Sequence, residues 1–562
     1  MRIKKSVFAL LTLFALSGSL HAFDLNDKVK EFTLDNGWRV IYMQRPYSPT
    51  IAIRLLFLSG STDEPANKTG LAHLIEHMMF KGTKTFGTKD YNKELPLLLK
   101  QDSLYAKLKK ESKKSKPDSL KLTKLQQELD SACALAREYI KQREISEIYE
   151  KAGAVGLNAA TSKDYTMYVL QIPSNKLELW ARVTADIIEN TVFRGFYEEK
   201  NVVIQEVKMH KDEPSSLMND ELFKTAFKVH PYGKLIAGQV ETVSDINKDD
   251  LTAFCKSYYI PSNGIIGIVG DVSFDEAKTI ITKYFSHFPK KKLPPPTWKP
   301  EPVQTSERRV TLELPAEPQI LIGYHTPTYS DSNPDAYILD VLSSVLSRGR
   351  TSRLHKQFVE TNIAASAYTY TGAPGKRYPN LFVFKGAPAA SHTIAEIENL
   401  FYKEIDKMKT EPVTDWELNR IKNDVKAQFL SIMSSNQSLV SQLLYYEGFW
   451  GGWEKLNDYT KIIDKVTAQD IINVANKYFT KENRTVITSV KKESGKSILD
   501  SSIEYYEKKT GKKIDDDTLG KLNMLIDNLN QTEKAGGQKV PDEQKLKIIR
   551  QVLDRVTGGE GK

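Results

Sequence analysis

The sequence predicts an α+β protein of two related domains, each a mainly antiparallel sheet with helices packed on one face. Three observations lead to this prediction: strand-like runs alternate with helix-like runs, a residue pattern recurs after 220 positions, and a proline-rich stretch separates the two copies. The chain has 562 residues, 40% of them hydrophobic, which is enough to form more than one core.

Strands come before helices in each half. The runs WRVIYM (38–43) and AIRLLFL (52–58) are apolar and have strand length, and Asn36-Gly37 is typical of a tight hairpin turn. Hairpins join antiparallel strands, so the sheets should be mainly antiparallel.

An internal repeat sets the domain organisation. Six residues recur with an offset of 220, and an apolar strand follows each set: Asp250, Leu251, Phe254, Tyr258, Tyr259 and Asn263 match Asp470, Ile471, Val474, Tyr478, Phe479 and Asn483. The prolines in the stretch 288–305 cannot continue a helix or a central strand, which indicates an extended tether. We therefore expect a first domain over 23–290, a linker over 291–305, a second domain over 306–495 and a helical or flexible extension over 496–562.

The first residues are typical of an export signal. Arg2, Lys4 and Lys5 precede the apolar run SVFALLTLFAL, and small residues offer cleavage after Ala22, so residues 1–22 are predicted to be a signal peptide of a periplasmic or secreted protein. No other apolar run approaches the roughly 20 residues that span a bilayer. Removing the three positive charges of this segment changes the net charge from +9 to +6, too small an excess to indicate nucleic-acid binding.

The strongest chemical signal is the motif His73-Leu74-Ile75-Glu76-His77, which lies in a run with helical spacing. Positions i and i+4 share one helical face, so both imidazoles can bind one cation with Glu76 between them. The order of the residues inverts the commoner HExxH motif of zinc peptidases. A catalytic zinc site needs three protein ligands and one position for water, so a third ligand must come from elsewhere.

Residues 31–83 (EFTLDNGWRVIYMQRPYSPTIAIRLLFLSGSTDEPANKTGLAHLIEHMMFKGT) resemble the N-terminal domain of the pitrilysin and mitochondrial-processing-peptidase family. The resemblance continues through GLNAATSKDYTMYVLQIP, EEKNVVIQEV, HPYGKLIAGQVETVSDI and YYIPSNGIIGIVGDV, and covers most of residues 30–490. It implies a zinc metalloendopeptidase with one Zn²⁺ per chain, and two halves that face each other as a clamshell around a chamber. The second half has no HxxEH motif and should be non-catalytic.

The resemblance also indicates the third ligand. Spacing alone does not separate Glu206 from His210, one helical turn further on, but the family segment E-x(6)-E matches Glu199 to Glu206 and implies Glu206 as the ligand. It implies that Glu199 supports the site without binding the metal. Glu76 is expected to be the general base.

The ligand spacing departs from that of relatives by about 50 residues. A segment over about 95–150 accounts for this excess: it has helical apolar spacing, as at Leu122, Leu125 and Leu129, and a Lys-Ser-Lys-Pro break at 114–117. We expect a helical insertion, either an αα-hairpin or an extension of existing helices. We interpret the lysines of this segment as a face exposed to solvent. The alternative is that they bind a partner or control the access of the substrate.

Substrate binding is implied by the family's Gly-x-x-Asn-Ala edge strand, which Asn158 and Ala159 match. Pairing along a sheet edge recognises extended backbone, so unfolded or short peptides are the expected substrates. Relatives also hold the substrate with an Arg and a Tyr from the second half, and Val359 and Ala365 occupy those places here. We therefore expect a related second subunit to supply this clamp, in a heterodimer or a homodimer.

Two other functions stay open from the sequence. One is a non-catalytic scaffold subunit of a heteromeric complex, and the other is a peptide-binding module that uses the chamber without cleavage. The intact residues His73, Glu76, His77 and Glu206 favour the peptidase.

Overall fold

The structure is a computed structural model that describes residues 24–296, 298–492, 497–534 and 542–557. The predicted signal peptide, residues 1–22, lies outside the described residues. Every helix in the described part of the chain is too short or too polar to cross a membrane.

The first sheet has six strands in the order β1-β2-β6-β3-β5-β4. Its strands are β1 (Val29–Thr33), β2 (Arg39–Gln44), β3 (Thr50–Phe57), β4 (Val155–Thr161), β5 (Thr166–Pro173) and β6 (Gly264–Gly270). All neighbours pair antiparallel except β2 and β6, which are parallel. The predicted hairpin joins β1 and β2, and Gly37 supplies the left-handed backbone of its turn at φ +107°.

Ten helices of this half are described. They are α1 (Leu71–Met79), α2 (Tyr91–Ser112), α3 (Ser119–Arg137), α4 (Glu144–Lys151), α5 (Leu177–Asn190), α6 (Phe196–Lys211), α7 (Pro214–Ala226), α8 (Val240–Asp245), α9 (Lys248–Tyr258) and α10 (Phe274–Phe285). Helices α1, α5 and α10 bury apolar side chains such as Ile75, Trp180 and Phe285 in one core with strand residues of the sheet.

Helices α2 and α3 lie in the segment predicted to be a helical insertion. They pack against each other through buried residues such as Leu104 and Leu129, and Asp118 caps the start of α3. The pair is also bound to α6, because the Tyr197 hydroxyl donates to Asp102 at 2.7 Å.

The second sheet has five strands in the order β7-β11-β8-β10-β9. Its strands are β7 (Arg308–Leu314), β8 (Ile320–Thr326), β9 (Ala364–Ala373), β10 (Asn380–Pro388) and β11 (Arg484–Lys491). Its half also contains α11 (Asp335–Ser347), α12 (Ile394–Thr410), α13 (Asp415–Met433), α14 (Asn436–Phe449), α15 (Lys455–Lys465) and α16 (Ala468–Tyr478). The fold class is as predicted: two sheets of mainly antiparallel strands, each covered by helices.

The repeat is visible in atomic detail. Helices α9 and α16 begin and end at positions 220 residues apart, and so do the starts of the strands that follow them, β6 and β11. The amide of Asn263 donates to the Tyr258 carbonyl at 2.9 Å, and that of Asn483 donates to the Tyr478 carbonyl at 2.8 Å. Both copies use the same side chain to close the turn between helix and strand.

The first sheet is covered on its second face as well. Helix α14 from the second half packs Leu439, Val440 and Leu444 against Ile265 and other strand residues. Strand β6 is buried along its whole length, which is typical of a strand with apolar neighbours on both faces. The two related halves therefore share a core.

The chain divides into two compact units. One contains both related halves, up to Leu312 and over Pro318–Ser489, and the other contains Glu313–Glu317 and the chain from Val490 onward. The second unit contains α17 (Ile498–Thr510), α18 (Asp516–Lys534) and α19 (Asp542–Thr557), with its own core around Leu522, Ile549 and Leu553. The domain boundaries given from the sequence stay a prediction.

Candidate metal centre

Helix α1 presents the HxxEH motif on its polar face. Six of its nine residues are buried, and His73, Glu76 and His77 lie on the remaining, half-buried face. The helix start is held by Glu64, whose carboxylate accepts the backbone N–H groups of Gly70 at 3.1 Å and Ala72 at 2.8 Å. These N–H groups have no partner within the helix, so the Glu64 side chain stabilises the helix start by accepting them, although burial raises its pKa to about 8.

Helix α6 crosses beside α1 and brings Glu206 to the two histidines. Its residues Val203 and Val207 are buried in the core, which directs Glu206 along the exposed side of the helix toward α1. The Glu206 Oε2 atom lies 3.5 Å from His77 Nε2 and 3.8 Å from His73 Nε2. Among the residues that the structure describes, these three are the group of His, Cys, Asp and Glu side chains placed to share a metal ion.

The geometry of this trio fits zinc. Ligand atoms of the three residues lie within 4.8 Å of one another, and the two imidazole rings are 4.7 Å apart between centroids. Two ligand atoms on one tetrahedral zinc, each about 2.0–2.1 Å from it, are separated by roughly 3.4 Å. Two imidazole nitrogens and one carboxylate oxygen are also a ligand set found in catalytic zinc sites.

His210 does not join the cluster. Its Nε2 atom lies 2.9 Å from Asp220 Oδ2, so the ring is engaged by an acid on α7. Of the two residues that spacing left open, the structure brings Glu206 to the histidines.

Glu199 lies behind His77. Its Oε1 atom is 3.0 Å from His77 Nδ1, and its Oε2 atom is 2.5 Å from Lys81 Nζ. With a proton on Nδ1, His77 donates to Glu199 and turns the Nε2 lone pair toward Glu206. The hydrogen bond from His77 to Glu199 raises the pKa of His77 above its usual value. Burial raises the pKa of Glu199, but its contacts with His77 and Lys81 outweigh this and lower the pKa overall.

His73 and His77 are equally exposed, but the pKa of His73 is shifted in the opposite direction. Burial, with a contribution from neighbouring His77, lowers the pKa of His73 to about 4. The ring is therefore neutral at pH 7, which is the form that binds metal ions.

Glu76 and the edge strand meet at the same place. The Thr161 hydroxyl, at the end of β4, donates to Glu76 Oε2 at 2.6 Å. Among the described residues, strand β4 is the last strand of the sheet and pairs with β5 alone, with Asn158 opposite Val169 and Ala159 opposite Tyr168. Asn158 is exposed and Ala159 is half-buried, so this edge is open beside the motif.

A cavity of about 570 Å³ opens next to the trio. His73, Glu76 and Thr161 form one wall, and residues 370–374 from the second half form another. Val359 and Ala365 are not among its lining residues: Val359 packs against the second core, and Ala365 is exposed at the start of β9. Tyr370 is the aromatic residue that the second half brings to this cavity.

Sequence reasoning missed Glu64, Lys81 and Thr161. Lys81 follows His77 by one helical turn, so the i, i+4 spacing was a signal for a residue on the same side. Thr161 comes from a strand 85 positions away, and only its place at the end of β4 indicates its role.

Two family profiles match the chain. One, described as Insulinase (Peptidase family M16), matches residues 39–98 and 136–240, and the other, described as Peptidase M16 inactive domain, matches residues 245–425. The chain belongs to peptidase family M16. The matches to the Insulinase (Peptidase family M16) profile include His73, His77, Glu206, Glu76 and Glu199. The profile does not match residues 99–135, which contain most of α2 and α3.

Similar proteins agree with this assignment. The zinc protease PqqE of Helicobacter pylori is 25% identical over 487 residues, which cover 84% of this chain and 96% of that protein. The crystal structure of a protease from Helicobacter pylori has a TM-score of 0.68 at 23% identity and covers 82% of this chain and 99% of that one. The first half of the periplasmic protease PqqL from Escherichia coli has a TM-score of 0.62 at 17% identity, covering 83% and 92%. Membership of the family supports a peptidase function for the chain.

Proposed function

We propose that this chain is an exported zinc endopeptidase that cleaves extended or unfolded peptides. The observation that carries the proposal is the convergence of His73, His77 and Glu206 within 4.8 Å, with Glu76 beside them at a large cavity. The two imidazoles and the carboxylate would hold one Zn²⁺ and leave a position for solvent. Bound zinc supplies Lewis acidity, which makes water a stronger acid and polarises a peptide carbonyl.

Glu76 is the proposed general base. Its carboxylate lines the cavity and is held by Thr161, so it can accept a proton from the attacking water and later deliver it to the leaving amine nitrogen. Glu199 keeps His77 in the tautomer that leaves Nε2 free.

Strand β4 is the proposed substrate platform. An extended peptide that pairs with its open edge at Asn158 and Ala159 would run toward Thr161 and Glu76. Recognition through the backbone favours unfolded chains because their N–H and C=O groups are free.

The variant Glu76→Gln tests the catalytic role. It keeps the size of the side chain but removes its basicity, so we expect about one zinc per chain, as in the wild type, and a loss of turnover of at least about 10²-fold. Zinc content and cleavage of an unfolded reporter protein are measured on the same preparation. Normal cleavage by the variant would refute the role of Glu76, and a wild-type protein without zinc would favour the non-catalytic scaffold.

The proposed partner is a related second subunit that brings an Arg and a Tyr to the substrate. It rests on the side chains of Val359 and Ala365, which have no hydrogen-bond donor. We expect the purified chain to be a weak peptidase whose activity rises when the partner from the native envelope is added. Full activity of a monomer would contradict this.

Export is proposed from residues 1–22 and agrees with the periplasmic location stated for PqqL. Mass analysis of the protein from its native cell fractions tests it, since the mature chain should begin after Ala22.

A further inference from the structure

Three lysines line the cavity beside His73 and Glu76: Lys163, Lys211 and Lys234. Among the residues that the structure describes, none of the three forms an ion pair. Lys163 is 3% exposed, and its ammonium group donates to the carbonyl oxygen of Lys234. An ammonium group has three N–H donors, and a buried cation without a counterion is costly.

The carboxylates near these lysines are engaged by other groups: Asp164, for example, accepts hydrogen bonds from the Tyr232 hydroxyl and the Lys376 backbone N–H, both at 2.7 Å. Asp220 is held by His210 at 2.9 Å, Glu76 accepts from Thr161 at 2.6 Å, and Glu64 accepts the two backbone N–H groups at the start of α1. None of these carboxylates forms an ion pair with the three lysines in the described part of the chain, so a carboxylate that enters the cavity can pair with them directly.

The positively charged residues of a second cavity, of about 410 Å³, are paired in contrast to these lysines. It lies on the other side of the motif, next to His77 and Glu199, and its cationic residues each have an acidic partner. The pairs are Lys81 with Glu199, Arg137 with Glu198, Lys141 with Glu144, Arg143 with Glu150 and Arg194 with Glu94. Of these two cavities in the described part of the chain, only the one beside His73 and Glu76 is lined by lysines without an ion pair.

We infer that the cavity beside His73 and Glu76 binds a carboxylate side chain of the substrate, so that peptides with Asp or Glu close to the scissile bond are preferred. This inference rests on the proposed function, because it assigns the substrate class of that site. The acidic side chain would supply the counterion that Lys163, Lys211 and Lys234 lack, and water exclusion around Lys163 would strengthen the contact.

The test uses two peptides that differ in one residue, Glu or Gln, next to the cleaved bond. We expect the zinc-loaded enzyme to cleave the Glu peptide with a kcat/KM about tenfold or more above that of the Gln peptide. The ratio should fall toward one in Lys163→Met and in Lys211→Glu, and should decrease with added salt, which screens exposed charges. Lys211 is exposed, so its variant remains informative if Lys163→Met does not fold.

The matched control is Lys124→Met, an exposed lysine on α3 that does not line this cavity and should leave the ratio unchanged. Binding of the same peptides to the Glu76→Gln variant, measured by calorimetry, separates the two hypotheses. A Glu preference in binding without any cleavage by the wild type would support the inference and refute the proposed peptidase. Equal affinity and equal kcat/KM for both peptides would overturn the inference, whatever the activity.

Discussion

Replacing Glu199 by Ala should weaken zinc binding without removing a ligand. Glu199 does not belong to the trio, and its contact is with the far side of His77, at 3.0 Å from Nδ1. In the variant, the His77 ring loses the acceptor that holds its orientation and tautomer. When Nε2 binds a cation, the His77 ring becomes partly positive, and in the variant no carboxylate at position 199 stabilises this charge.

The structure sets the size of the effect. The hydrogen bond joins an imidazole N–H to a charged acceptor in a half-buried site, and such bonds contribute about 1.5–3 kcal/mol. Because each 1.4 kcal/mol corresponds to about a factor of ten, the zinc Kd should rise by about 10- to 100-fold. Glu199→Gln keeps an acceptor but loses the charge, so its effect should be smaller.

The effect should also depend on pH in a defined direction. Glu199 raises the pKa of His77, so protons compete with zinc for this histidine more strongly in the wild type than in the variant. The ratio of the two Kd values should therefore be largest at alkaline pH and shrink as the pH falls through the raised pKa of wild-type His77.

Competition with a chromophoric chelator at several pH values measures these constants. Glu198→Ala is the matched control, since Glu198 is the preceding residue of α6 and pairs with Arg137 rather than His77. If Glu199→Ala binds zinc as tightly as the wild type at every pH, the role assigned to Glu199 is wrong.

Three further predictions concern the scaffold around the site. The side chains of Arg194 and Glu94 pair in the core, where they are 1% and 0% exposed. Arg194→Ala leaves Glu94 as an unpaired buried charge, so it should lower the free energy of unfolding by about 3–5 kcal/mol, measured as a lower Tm. Burial lowers the pKa of Lys200 to about 7, so between pH 7 and about 10 the unfolded chain holds a proton on this residue that the folded chain has lost. The free energy of unfolding of the wild type should therefore rise by a few kcal/mol relative to that of Lys200→Met as the pH increases over this range. Gly70→Ala should destabilise the start of α1 and weaken zinc binding, because φ is +92° and an added Cβ would lie 2.6 Å from the Ala237 carbonyl oxygen.

The first and the third of these predictions have a control elsewhere in the chain. Lys151→Ala removes a surface pair with Glu147 and should change stability by less than about 1 kcal/mol. Gly520 in α18 has open space around it, so Gly520→Ala should be neutral or stabilising, in contrast to Gly70→Ala. Equal Tm values for Arg194→Ala and Lys151→Ala, or a pH-independent difference for Lys200→Met, would refute the corresponding argument.

The sequence predicted the fold class and the helical face of the motif because both depend on local patterns. Apolar residues at helical spacing place His73, Glu76 and His77 together on one side of α1. The repeat of Asn263 at Asn483 predicted two related halves, since the same turn closes each copy. These features need only residues that are close along the chain.

Tertiary structure decided which distant residues meet. Glu206 and His210 are one turn apart on the same helix, and only the crossing of α6 over α1 brings Glu206 to the histidines while Asp220 engages His210. The same holds for Thr161 at Glu76 and for the cover that α14 forms over the first sheet. Periodicity determines which side chains share a face of an element, but the packing of elements far apart in sequence determines what that face contacts.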